Sequence, residues 1–99
     1  MFNIEKKDEG KKLELMLSGR LDTTTAPQLE EVVNKGLSGK DTLVFNMQDL
    51  EYISSAGLRT LLAAQKIMNK QGTMTVTNAS DGIKEIFSVT GFSDILTIE

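Results

Sequence analysis

The residues of this chain that could do chemistry are two adjacent hydroxyls, Ser54 and Ser55, inside the stretch from Asp49 to Leu62. A serine becomes a nucleophile when a neighbouring base takes its proton and a strained elbow presents it. The sequence contains no histidine and no cysteine, which removes the commonest general base, the commonest zinc ligand and all thiolate chemistry. Ile53-Ser54-Ser55-Ala56-Gly57 does not follow Gly-x-Ser-x-Gly, and a Gly-x-x-x-x-Gly-Lys phosphate loop is absent. A Ser-Lys pair is left open by geometry, but no spacing favours it. No metal site and no cofactor are expected, and an enzyme using Ser55 as nucleophile is the weakest of the readings. What remains is a serine acted on by another protein. The sequence places both hydroxyls at a helix start, where unpaired N–H groups and roughly half a positive charge tolerate a phosphoryl group.

The bland account of the two serines is N-capping of that helix. It leaves Gly57 unexplained, because a glycine in the first turn costs roughly 1 kcal/mol relative to alanine. The expectation is that a ligand, a partner or a neighbouring element comes close to this backbone.

Composition narrows the classes further. Ninety-nine residues, 39% of them hydrophobic, suffice for one core and one domain, residues 1–99. The net charge is −3, without the basic excess that phosphate backbones require, so no direct nucleic-acid partner is expected. The first ten residues lack an apolar leader segment, and no apolar run comes near the ~18 residues of a membrane span. The expectation is a cytoplasmic, soluble protein with no membrane insertion.

The elements that must position the serines follow from periodicity. Phe2 and Ile4, then Leu13, Leu15 and Leu17, alternate with polar residues around an Asp8-Glu9-Gly10 turn, which predicts a β-hairpin. Arg20-Leu21-Asp22 should leave the sheet edge, and Thr25-Ala26-Pro27-Gln28 fits a capping box opening a first helix. Leu29, Val32, Val33 and Leu37 form that helix's apolar stripe. Thr42 to Met47 reads as a short central strand buried on both faces. A second helix runs from Ser54 or Ser55 to about Asn69. Its leucines 58, 61 and 62, with Ala64 and Met68, share one broad face. Arg59, Lys66 and Lys70 form a ridge, and Thr60, Ala63 and Ile67 a third sector that is either scattered surface or a partner-binding face. A strand over 73–77, a third helix capped by Ser80 and closed by Gly91, and a last strand over 95–98 complete the chain. The fold class is α/β, a mixed and mostly parallel sheet with helices packed against it.

Three motifs together resemble a known family. Asp49-Leu50-Glu51-Tyr52-Ile53-Ser54-Ser55-Ala56-Gly57-Leu58, with Ser18-Gly19-Arg20-Leu21-Asp22 upstream and Val89-Thr90-Gly91-Phe92 downstream, is similar to the STAS domain of bacterial anti-sigma factor antagonists over essentially the whole chain. The resemblance implies a phosphoprotein that takes part in partner switching and transcription regulation. Unmodified, it would bind an anti-sigma factor serine kinase and release the sigma factor; a serine phosphatase would reset it. Carried over by position, the phosphoacceptor is Ser55, with Ser54 as the alternative, and Asp22 is its acidic neighbour. Ser54 stands where the family pattern has aspartate, Ala56 where it has a second hydroxyl residue, and Arg59 where it has a small one. Arg59 would meet either the phosphoryl group or an acidic partner, or simply face water. The surrounding docking surface, Ser54 to Ile67, would use Ser54, Leu58, Thr60, Ala63 and Ile67, and Gly57, in the phosphosite neighbourhood, would let a partner or the kinase approach the backbone. The alternative within the family is a non-catalytic adaptor subunit of a sensor complex or of a membrane transporter.

Overall fold

The computed structural model describes residues 1–99 as five strands and three helices. In chain order these are β1 (Asn3–Glu9), β2 (Lys12–Leu21), α1 (Ala26–Gly36), β3 (Thr42–Ile53), α2 (Ser55–Met68), β4 (Thr73–Thr77), α3 (Asp81–Val89) and β5 (Thr97–Ile98). The strands lie in the order β1-β2-β3-β4-β5; β1 is antiparallel to β2, and every other neighbouring pair is parallel.

Each of the three crossovers advances one strand in the same direction. Because such connections are right-handed, α1, α2 and α3 stack on one face of the sheet. Burial follows. Leu13, Leu15 and Leu17 of β2, Leu43, Phe45 and Met47 of β3, and Met74 and Val76 of β4 point into a core of 24 buried apolar residues. Their alternates, such as Met16, Val44, Asn46 and Thr75, are only half-buried on the opposite face. The expectation that β3 is central holds, but it is fully buried on one face only, since all three helices cover that face and none covers the other.

Two elements run past their predicted ends. β2 continues through Arg20 and Leu21, paired with Tyr52 and Ile53, instead of leaving the sheet at Gly19. β3 extends to Ile53 because two register shifts against β2 each give it one extra residue. Bulges of this kind break the two-residue alternation, so Met47, Leu50 and Ile53 are buried at every third position.

The helix starts follow local sequence signals unevenly. Ser80 caps α3 as expected, accepting from the Ile83 N–H at 3.3 Å, and Gly91 follows α3 at φ 82°. The capping box at Thr25 does not form. Thr25 Oγ1 instead accepts from the Asp22 N–H at 2.9 Å and lies 2.8 Å from the Arg20 carbonyl, turning the chain out of β2. The last strand is shorter than predicted, because residues 92–94 form a 3-10 turn and Ile95 follows it outside the sheet.

Candidate functional site

β2 and β3 end side by side, and both deliver their chain to the same corner of the molecule. The Ser54 N–H donates to the Leu21 carbonyl at 2.8 Å, so the start of α2 is tied directly to the end of β2. Ser54 is extended, and its hydroxyl accepts from the Gly57 N–H at 3.4 Å, which makes it the N-cap of α2. Its carbonyl accepts the first helical bond, from the Leu58 N–H at 2.9 Å. Ser55 is the first helical residue, exposed, and its hydroxyl is not the cap. The two serines therefore divide the work: one holds the helix start and the other faces solvent.

Asp22 follows Leu21 at this corner. Its Oδ1 accepts from the Thr24 N–H at 3.0 Å and the Thr25 N–H at 3.2 Å, and Thr25 Oγ1 lies 3.3 Å away. A carboxylate that binds backbone two and three residues on is a turn-former, so Asp22 shapes the loop into α1 while remaining half-exposed. Next to it, the Arg20 guanidinium lies 4.3 Å from the centre of the Tyr52 ring, a cation–π contact between partners in the β2–β3 ladder. This pair was not anticipated. The signal available in the sequence was Tyr52 itself, a large ring next to the inward-pointing Ile53.

Gly57 is buried. A Cβ added to it would meet Ile53 Cγ1 and Leu21 Cγ at 2.8 Å and Leu21 Cδ2 at 3.0 Å. The close approach that its presence predicted is internal: α2 presses onto the ends of β2 and β3. No room for a partner is involved.

The expected docking residues separate in the same way. Leu58 and Thr60 are 4% and 3% exposed, so neither side chain offers surface, and the Thr60 hydroxyl donates back to the Ala56 carbonyl at 3.1 Å. The reason is that α2 is the middle helix and packs on α1 as well as on β3 and β4, which buries a broader arc than a leucine stripe alone implies. Ser54, Ala56 and Ile67 are half-buried, and Ala63 is exposed. The free arc of α2 is thus Ser55, Arg59, Ala63 and Lys66, which lie at helical spacing on one side.

This arrangement can offer a hydroxyl to a modifying protein. The Asp8 carboxyl, on β1 beside the start of β2, is held below its ordinary value, chiefly by its hydrogen bond with Lys40. No group of acidic side chains is placed to hold a metal ion, and no helix is long and apolar enough to cross a membrane.

Comparison with known proteins agrees with this geometry. The STAS domain family model matches residues 3–99. An anti-sigma-B factor antagonist of Staphylococcus aureus (strain NCTC 8325 / PS 47) is 30% identical over 99 residues, covering 98% of this chain and 92% of that protein. Among solved structures, an anti-sigma factor antagonist from Mycobacterium paratuberculosis superposes with a TM-score of 0.89 at 21% identity, over 99% of this chain and 85% of that one. The Bacillus cell fate determinant SpoIIAA in its phosphorylated form superposes with a TM-score of 0.75 at 18% identity, over 100% and 91%. With a mixed five-stranded sheet, three helices and a serine-led α2 at the strand ends, the chain belongs to the STAS family and, within it, to the non-catalytic anti-sigma factor antagonists.

Proposed function

We propose that this chain is a cytoplasmic partner switch controlled by phosphorylation of Ser55. Unmodified, it binds a serine kinase that doubles as an anti-sigma factor, and the sigma factor is freed for transcription. Transfer of a phosphoryl group to Ser55 ends that complex, and a serine phosphatase restores the binding form. The observation that carries the reading is the division between the serines: Ser55 is exposed and uncommitted at the head of α2, whereas Ser54 is half-buried and holds the cap. Ser54 thereby drops behind Ser55 as acceptor, since modifying it would break the cap.

The electrostatics favour a switch that leaves the fold in place. Phosphate at a helix N-terminus meets the positive end of the dipole and is tolerated there. It adds about −1.5 to −2 charges to the exposed arc. With an effective dielectric near 20, two unit charges ~6 Å apart interact by roughly 3 kcal/mol before screening. That corresponds to about a hundredfold change in affinity.

The test is incubation with the cognate kinase and ATP. One phosphate should be added, mapped to Ser55 by fragmentation mass spectrometry. The Ser55→Ala variant should stay unmodified and kinase-bound, and Ser55→Asp should lose affinity while keeping its circular dichroism. Full phosphorylation of Ser55→Ala would overturn the assignment.

A further inference from the structure

Arg59 sits on the exposed arc of α2 four residues beyond Ser55. The ion pairs of the molecule are Lys35 with Glu31 and Lys40 with Asp8, and Arg59 belongs to neither. All fourteen carboxylate side chains lie outside residues 54–80, so α2 supplies this guanidinium with no acid of its own. Helix positions i and i+4 face each other with Cβ atoms ~5–6 Å apart, and the acid-before-base order is the favourable one. Ser55 and Arg59 stand in that order, both exposed, one with an uncommitted hydroxyl and the other with an unpaired cation.

We propose that Arg59 is the internal counter-ion of a phosphoryl group on Ser55, so that modifying one residue withdraws the cation of the other from the docking arc. This rests on the reading of Ser55 as phosphoacceptor and adds to it how the switch is read out. The kinase transfers the terminal phosphoryl of ATP to Ser55 Oγ, with ADP leaving and the hydroxyl proton lost. Arg59 N–H groups then donate to the new phosphate oxygens, a charge-assisted contact in which the planar fork suits two phosphate oxygens at once. Before transfer the arc presents Arg59 and Lys66 to a partner; after it, Arg59 is occupied and the phosphate offsets what charge remains. The arc therefore loses a free guanidinium donor as well as gaining the phosphate's negative charge.

Other charged groups border the site. Arg20 stands at the end of β2 with Asp22 just after it, Glu51 lies near the end of β3, and Lys66 lies further along α2. Arg20 is already stacked on Tyr52, which leaves Arg59 as the free cation one turn away. Asp22 and Glu51 oppose ionisation of the phosphate equally in every variant below, so differences between variants isolate the cations.

The experiment installs phosphoserine at position 55 by genetic encoding, so that no kinase is needed, and follows the second phosphate ionisation by phosphorus NMR. Removing the counter-ion in Arg59→Gln should raise that pKa by about 0.2–0.4, the equivalent of an i,i+4 ion pair. Arg59→Lys should restore part of the difference, while Arg20→Gln and Lys66→Gln should each move it by less than about half as much. An unchanged pKa in Arg59→Gln, or a larger shift in Arg20→Gln, overturns the proposal. Circular dichroism of each exposed-residue variant confirms the fold. Failure of any kinase to modify Ser55 would sink the proposed function and leave this titration unaffected, so the two readings fail separately.

Discussion

Gly57 and Leu21 are packed so closely that a methyl group on the glycine would lie 2.8 Å from Leu21 Cγ. The contact joins the first turn of α2 to the last residue of β2, and with the Ser54 N–H to Leu21 carbonyl bond it fixes where Ser55 emerges. Placement of Ser55 is thus a packing property of the core. It depends on a residue with no side chain.

Gly57→Ala tests this. Helix propensity alone would favour alanine by roughly 1 kcal/mol. Overpacking against Leu21 and Ile53 costs about 1–3 kcal/mol, and both neighbours are fully buried with little room to yield. The variant should be less stable by about 1 kcal/mol in urea unfolding. A gain in stability would show that α2 can lift off the strands without cost.

The two serines should respond oppositely to alanine. Ser54→Ala removes the cap of α2 and should cost about 0.5–2 kcal/mol, yet leave Ser55 available to the kinase. Ser55→Ala removes an exposed hydroxyl that is not the cap and should change stability by less than about 0.5 kcal/mol, while abolishing phosphate incorporation. Urea midpoints and intact-mass measurements on the same samples separate the roles. A Ser55→Ala variant as unstable as Ser54→Ala would mean that the cap has been assigned to the wrong residue.

How much of this was legible in the sequence differs from element to element. Ser54, Ser80 and Gly91 announced their helix ends because capping is local chemistry. The end of β3 did not, because two bulges shift its buried positions to Met47, Leu50 and Ile53, a period that fits no regular strand. Thr25 matched a capping box, but its hydroxyl found the closer Arg20 carbonyl and Asp22 N–H, partners supplied by the tertiary turn. Gly57 signalled a close approach correctly, and only the fold could say that the visitor was Leu21. Arg20 on Tyr52 needed the β2–β3 register, which a single sequence does not encode locally.

Leu58 and Ala63 provide a sharper division between core and surface than helical spacing could. Leu58→Ala should destabilise the domain by about 2–4 kcal/mol through lost burial and the cavity left behind. Ala63→Trp, on the exposed arc, should cost no more than about 0.5 kcal/mol and should obstruct kinase binding by its bulk. Calorimetric titration of each variant with the kinase, compared with its unfolding curve, checks both statements. Normal affinity in Ala63→Trp would place the docking surface elsewhere on the molecule.

At the other end of β2, the hydrogen bond from the Lys40 ammonium, 2.5 Å from Asp8 Oδ1, is the main cause holding the Asp8 carboxyl below its ordinary value of 3.8. Lys40 also donates to the Gly10 carbonyl, so one ammonium links the β1–β2 turn to the loop before β3. A carboxyl whose pKa is lower folded than unfolded stabilises the fold above the unfolded value. That contribution is lost as pH falls through the folded value, so the window lies below 3.8. Asp8→Asn should therefore be less stable than the parent at neutral pH, with the gap closing as the solution is acidified past that point. Urea midpoints measured for both proteins between neutral and strongly acidic pH test it. A gap independent of pH would show that the Lys40 contact contributes through packing alone, and since Asp8 lies on β1 beside the start of β2, at the end of the sheet away from Ser55, phosphorylation should be the same in both proteins.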